Sequence, residues 1–114
     1  MEEALADLIQ ENYLNEERFA IHFAGGRFRV KQWGRVKIKY ELKQKQVSTF
    51  CINKALREID DAAYIATLHK LLAEKLKTLS KEKNIFIKKK KAQDFLLQRG
   101  FESDLIREAI EKSI

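Results

Sequence analysis

Apolar residues recur at helical spacing along most of the chain. Tyr64, Ile65, Leu68, Leu71, Leu72, Leu76 and Leu79 fall on one face and predict a helix over 61–79. Cys51, Ile52, Ala55, Leu56 and Ile59 predict another over 48–59, with Ser48 as its N-cap. Ala92, Phe95 and Leu96 belong to a helix over 85–99 that stops at Gly100, a natural C-terminal glycine. Leu105, Ile106, Ala109 and Ile110 form the last, over 102–113. Near the start, Phe19, Ala20, Phe23 and Ala24 predict a helix over 15–30. Asn15 is placed to cap it, with Glu16 and Glu17 in the first turn and Leu14 and Phe19 as a hydrophobic staple. Gly25 and Gly26 either weaken this helix or allow close packing.

One segment resists the pattern. Val36, Ile38, Tyr40 and Leu42 alternate strictly with charged residues, which is the period of a strand. As a helix, Arg35–Lys43 places Val36 and Tyr40 on one side and Ile38 and Leu42 nearly opposite. Such a helix, over 34–45, is expected to be sandwiched between neighbours in a stacked array.

An internal repeat decides for the helix. At an offset of 54 and without gaps, Tyr40–Ile59 (YELKQKQVSTFCINKALREI) aligns with Asp94–Ser113 (DFLLQRGFESDLIREAIEKS). Leu42 meets Leu96, Ile52 meets Ile106, Ala55 meets Ala109 and Leu56 meets Ile110. The staple pairs Val47 with Ile52 in one copy and Phe101 with Ile106 in the other. Upstream, Ala4, Leu5 and Leu8 echo Ala55, Leu56 and Ile59. The expected fold is all-α, with tandem three-helix repeats stacked in an elongated array. Its parts are 1–13 as the last helix of an incomplete upstream repeat, 14–60 as one repeat and 61–114 as the next.

Composition agrees with helices. The 114 residues include no proline and only four glycines, too few for the turns of a sandwich or barrel. One cysteine cannot form an intrachain disulfide, which fits a reducing cytoplasm. Neither a signal peptide nor a membrane-spanning stretch is visible, so no membrane partner is expected.

Charge changes the functional picture. The net charge of +6 is unevenly spread: −5 over residues 1–26, +7 over 27–46, +1 over 47–80, +5 over 81–100 and −2 over 101–114. Two cationic blocks between acidic ends resemble a binding face more than a mixed-sign solvated surface. The candidate partner-binding residues are Arg27, Arg29, Lys31, Arg35, Lys37, Lys39 and Lys43 in the first block. Lys88, Lys89, Lys90, Lys91 and Arg99 are those of the second. Arg35, Lys39 and Lys43 share a stripe at i, i+4 and i+8. The lysine run is either a contact to nucleic acid or partner protein, or a solvated helix face.

No catalytic chemistry stands out. There is no phosphate-binding GxxxxGK[ST] loop, no nucleophile elbow and no HExxH. His22 and His69 lie far apart without cysteines at zinc spacing. Cys51 matches Leu105 in the repeat and reads as a small core residue. Trp33 is expected to pack between helices, in preference to anchoring an interface, with Gly34 allowing a tight turn beside it. Neither a cofactor nor a small-molecule substrate is expected. The chain reads as a docking protein, not an enzyme.

The strings YLNEERFA (Tyr13–Ala20), WGRVKIKYELKQK (Trp33–Lys45) and FLLQRGFESDLIREAI (Phe95–Ile110) resemble the RecX family of bacterial regulators of the RecA recombinase. The likeness covers nearly the whole chain. It implies tandem three-helix repeats and docking in the groove of the RecA filament, with contact to single-stranded DNA through that filament. It further implies suppression of ATP hydrolysis, strand exchange and the co-protease activity behind the SOS response. A glycine is common in the family at the turn where Gln46 stands, so a strained or a different cap is expected there. A direct helical nucleic-acid-binding protein is the alternative that charge and helices alone would support.

Overall fold

The computed structural model describes residues 15–113. The upstream segment 1–13, the expected end of an earlier repeat, and the Leu14 staple lie outside the described residues. Six helices follow one another. The first, α1, occupies 15–26 and runs on into a π-helical turn, Arg27–Lys31. Then come α2 (Arg35–Gln44), α3 (Thr49–Arg57), α4 (Asp61–Thr78), α5 (Ile85–Gln98) and α6 (Ser103–Ser113). There is no strand among the described residues. The alternating segment is therefore helical, and the molecule is elongated, 70 × 23 × 20 Å.

Local signals set the helix starts. Ser48 and Asp60 each accept a hydrogen bond from the backbone N–H three residues on, Cys51 and Ala63. Asn84 Oδ1 caps α5 through the N–H groups of Phe86 and Ile87. Asn15 does not cap α1, because it is already helical. Gly25 and Gly26 do not interrupt that helix. Its end is set by Gln32, which adopts a left-handed φ of 57° and donates to Phe28 O.

The repeat is visible in the core. Ile38, Leu42, Val47, Ile52 and Ala55 are buried in the first unit, and Ala92, Leu96, Phe101, Ile106 and Ala109 are buried in the second at the same offset. The turn bonds repeat as well. Lys45 N–H donates to Glu41 O, Gln46 to Lys43 O and Val47 to Leu42 O. Arg99 donates to Phe95 O, Gly100 to Leu97 O and Phe101 to Leu96 O. Gln46 takes the left-handed conformation itself, at φ 61°, where the second unit uses Gly100 at φ 91°.

The first helices correspond at a shorter offset. Ala20, Ala24 and Phe28 are buried on α1, and Tyr64, Leu68 and Leu72, each 44 residues later, are buried on α4. The second unit therefore carries about ten extra residues, in the last turn of α4, the connection 79–84 and the first turn of α5.

Helix α2 is not sandwiched. Ile38 and Leu42 are fully buried, but Val36 and Tyr40 are 53% and 61% exposed. Only one of its two apolar strips meets a neighbour among the described residues. The other faces outward, flanked by exposed Lys39 and Lys43.

The two units meet at the start of α2. Its first N–H groups have no partner of their own in the helix. Gly34 N–H donates to Arg99 O at 2.7 Å and Val36 N–H to Gly100 O at 2.9 Å. Arg35 N–H donates to the Tyr64 hydroxyl at 2.9 Å. The second unit thus caps a helix of the first. A Cβ on Gly34 would lie 2.3 Å from the Gly100 carbonyl carbon, and one on Gly100 would lie 2.2 Å from Lys37 Cβ, so neither position has room for a side chain.

Candidate interaction face

Arg35 belongs to this junction. Its guanidinium reaches Asp61 at 2.6 Å and Glu102 at 3.1 Å, and lies 3.9 Å from the centre of the Tyr64 ring. Tyr64 is fully buried and donates its hydroxyl proton to Glu102. Burial first, and this hydrogen bond second, raise the phenol above its ordinary value of 10.0. Arg35 was expected on the binding stripe with Lys39 and Lys43. It is instead engaged by the second unit, because the stripe curves around α2 from the junction towards solvent.

Other cations collect against aromatic rings. Arg27 lies 4.7 Å from the Phe23 ring centre and 5.4 Å from that of Trp33. Lys37 Nζ sits 4.4 Å over Trp33 from the opposite element. In the second unit, Lys75 and Arg99 approach Phe95 at 5.1 and 5.3 Å. Arg99 Nη1 donates to Lys31 O at 2.9 Å and so ties the two clusters together.

A groove of about 320 Å³ results, lined by Lys31, Trp33 and Lys37 from the first unit and Phe95, Gln98 and Arg99 from the second. Three of the six lining residues are cations, and none is a carboxylate. Trp33 packs its half-buried ring on the core while also forming a wall of this groove. Beside the groove, α2 presents Tyr40, Val36, Lys43 and Lys39 in turn around its exposed side.

The predicted residues thus divide. Lys31, Lys37 and Arg99 line the groove, Arg27 stacks on its Trp33 wall, and Lys39 and Lys43 flank the exposed apolar strip of α2. Arg29 is exposed on the π turn, with its guanidinium close to Gly25. Lys88 and Lys91 continue the α5 side that bears Phe95 and Arg99. Lys91 is also 3.8 Å from Glu82. Lys89 lies on another side of α5, beside Gln93 and Arg107, and Lys90 is exposed. Phe95, Gln98 and Lys75 were not singled out from the sequence. Of these only Phe95 carries a sequence signal, the spacing of ring and cation at i, i+4 that Phe95–Arg99 shares with Trp33–Lys37.

No group of three or more His, Cys, Asp or Glu that would hold a metal occurs among the described residues. No helix there is long and apolar enough to cross a membrane. Cys51 is buried and makes no disulfide.

The fold defines a tandem three-helix-repeat protein, with this cationic, ring-lined face at the seam of its two units. Family models agree in detail: that of the second three-helix domain of RecX matches residues 15–56, and that of the third matches residues 62–110. The chain belongs to the RecX family. It is 35% identical over 112 residues to the regulatory protein RecX of Chlorobium phaeobacteroides (strain BS1), covering 98% of this chain and 71% of that protein. The namesake in Prosthecochloris aestuarii is 36% identical over the same shares. That of Bacillus cytotoxicus is 27% identical, and this chain spans 40% of its length. No solved structure gives a significant match.

Proposed function

We propose that the chain regulates DNA repair and recombination by docking on the RecA filament and restraining its ATPase, strand-exchange and co-protease activities in the cytoplasm. Family membership supports this reading, and the observation that carries it is the carboxylate-free groove of Lys31, Trp33, Lys37, Phe95, Gln98 and Arg99. Its walls come from both units, so its geometry depends on their being locked together. Cations stacked on rings favour an acidic, partly apolar surface such as a protein interface near phosphate. We take 14–60 and 61–114 as the two working repeats.

Titration into a DNA-dependent RecA ATPase assay tests the proposal. The wild-type chain is expected to inhibit, and Lys37→Glu combined with Lys31→Glu to raise the half-inhibitory concentration by roughly tenfold or more. An ATPase and filament occupancy unaffected by the wild-type chain would sink it. The rings interleaved with cations also suit single-stranded nucleic acid. Tight, steeply salt-dependent binding to single-stranded DNA without RecA would favour that second reading.

A further inference from the structure

The extra residues of the second unit form a tip that has no counterpart in the first. At its end Ile85, Phe86 and Ile87 are 42%, 80% and 43% exposed. Three consecutive residues at a helix start point about 100° apart, so together they cover the end of the α4–α5 hairpin with apolar surface. None of the three belongs to the core or to the partly buried apolar residues packed against it. Lysines dominate the sequence on both sides of the tip: residues 75–91 hold eight of them against a single carboxylate, Glu82. That carboxylate already faces Lys91 and accepts from Asn84 N–H.

Another repeat stacked in the manner of the inter-unit junction is a poor occupant. At that junction the start of α2 takes its acceptors from the neighbouring unit. Here Asn84 satisfies the start of α5 from within the same unit. Nucleic acid is also a poor occupant for the whole tip. Phe86 offers a stacking face, but Ile85 and Ile87 do not, and their burial needs an apolar lining. An apolar cleft with an acidic rim on a protein fits both the shape and the charge.

We infer that the Ile85–Ile87 tip plugs an acid-rimmed apolar cleft on the protein of the filament, as a second contact separate from the groove. This rests on the docking reading above. The α5 stripe of Lys88, Lys91, Phe95 and Arg99 connects the two sites, and the helix between them is about 21 Å long. One chain therefore reaches two points on the filament surface, and the tip adds affinity that the groove alone does not supply.

Binding to RecA filaments assembled on single-stranded DNA with a non-hydrolysable ATP analogue tests this, with the bare DNA measured in parallel. Phe86→Ser is expected to weaken filament binding by roughly tenfold or more, and Phe86→Leu, which keeps apolar volume, by no more than about twofold. Both variants should bind the bare DNA as the wild type does, and their circular dichroism should be unchanged because the ring is 80% exposed. Wild-type affinity of Phe86→Ser for the filament, with Lys37→Glu still weakened, overturns the tip and leaves the docking reading standing. Equal loss by Phe86→Ser and Phe86→Leu on bare DNA assigns the ring to base stacking and also overturns it. A wild-type chain that does not bind the filament removes the docking reading and the tip together.

Discussion

The turns at Lys45–Gln46 and Arg99–Gly100 share one backbone pattern, bond for bond, yet they are under different constraints. Gln46 is exposed and tolerates a left-handed φ with its side chain in solvent. Gly100 is buried against α2, and its carbonyl and that of Arg99 are the acceptors for a helix in the other unit. In one copy the turn only reverses the chain. In the other it is also the surface on which the units join. Glycine at the first is a matter of conformational preference, whereas at the second it is a matter of space.

Substitutions can break this contrast. Gly100→Ala should be the most damaging, because strain at φ 91° adds to a clash with Lys37. A loss of about 3 kcal/mol or more is expected in urea denaturation. Gly34→Ala should approach it, since the obstruction is backbone of the opposite unit. Survival of either variant at full stability would show that the junction is looser than its distances indicate.

Tyr64→Phe asks how much of the lock is side chain. It strands the Arg35 N–H and removes the phenol from one oxygen of Glu102, which keeps Arg35 through the other, and is expected to cost about 1–2 kcal/mol. The pH dependence is diagnostic. The folded state holds the phenol proton to higher pH than the unfolded state does, so this stability is complete below pH 10.0 and is lost as pH rises beyond it. Alkaline titration of stability should show that component in the wild type and not in the Phe variant. Asn84→Ala removes a cap that serves only α5 and should cost about 1 kcal/mol, without altering the junction. Smallest of all, Gln46→Gly should stabilise by about 0.5–1 kcal/mol, opposite in sign to the exchange at its counterpart. A loss there would mean that the glutamine side chain has a structural role.

Much of the fold was legible because the buried positions of the second and third helices repeat at a constant interval. Ile38/Ala92 through Ala55/Ala109 depend only on local spacing, which sequence displays directly. The outward strip of α2 was not legible: Val36 and Tyr40 match the apolarity of Ile38 and Leu42, and only assembly decides which strip finds a neighbour. Arg35 misled for a related reason. Its carboxylate partners lie 26 and 67 residues away, beyond any local pattern. The groove was half visible. Its cations stood out as charge, while Phe95 and Gln98 acquired meaning only when the second unit came alongside the first.

The borrowed cap of α2 has a consequence for how the molecule opens. With Gly34, Arg35 and Val36 amides bonded to the other unit, α2 cannot keep its first turn protected once the units separate. These three amides should exchange with solvent deuterium together, as one cooperative block. Amides deep in α3, held within a single unit, need not follow. That shared exchange event would then report the parting of the two repeats, and with it the opening of the groove that both of them build.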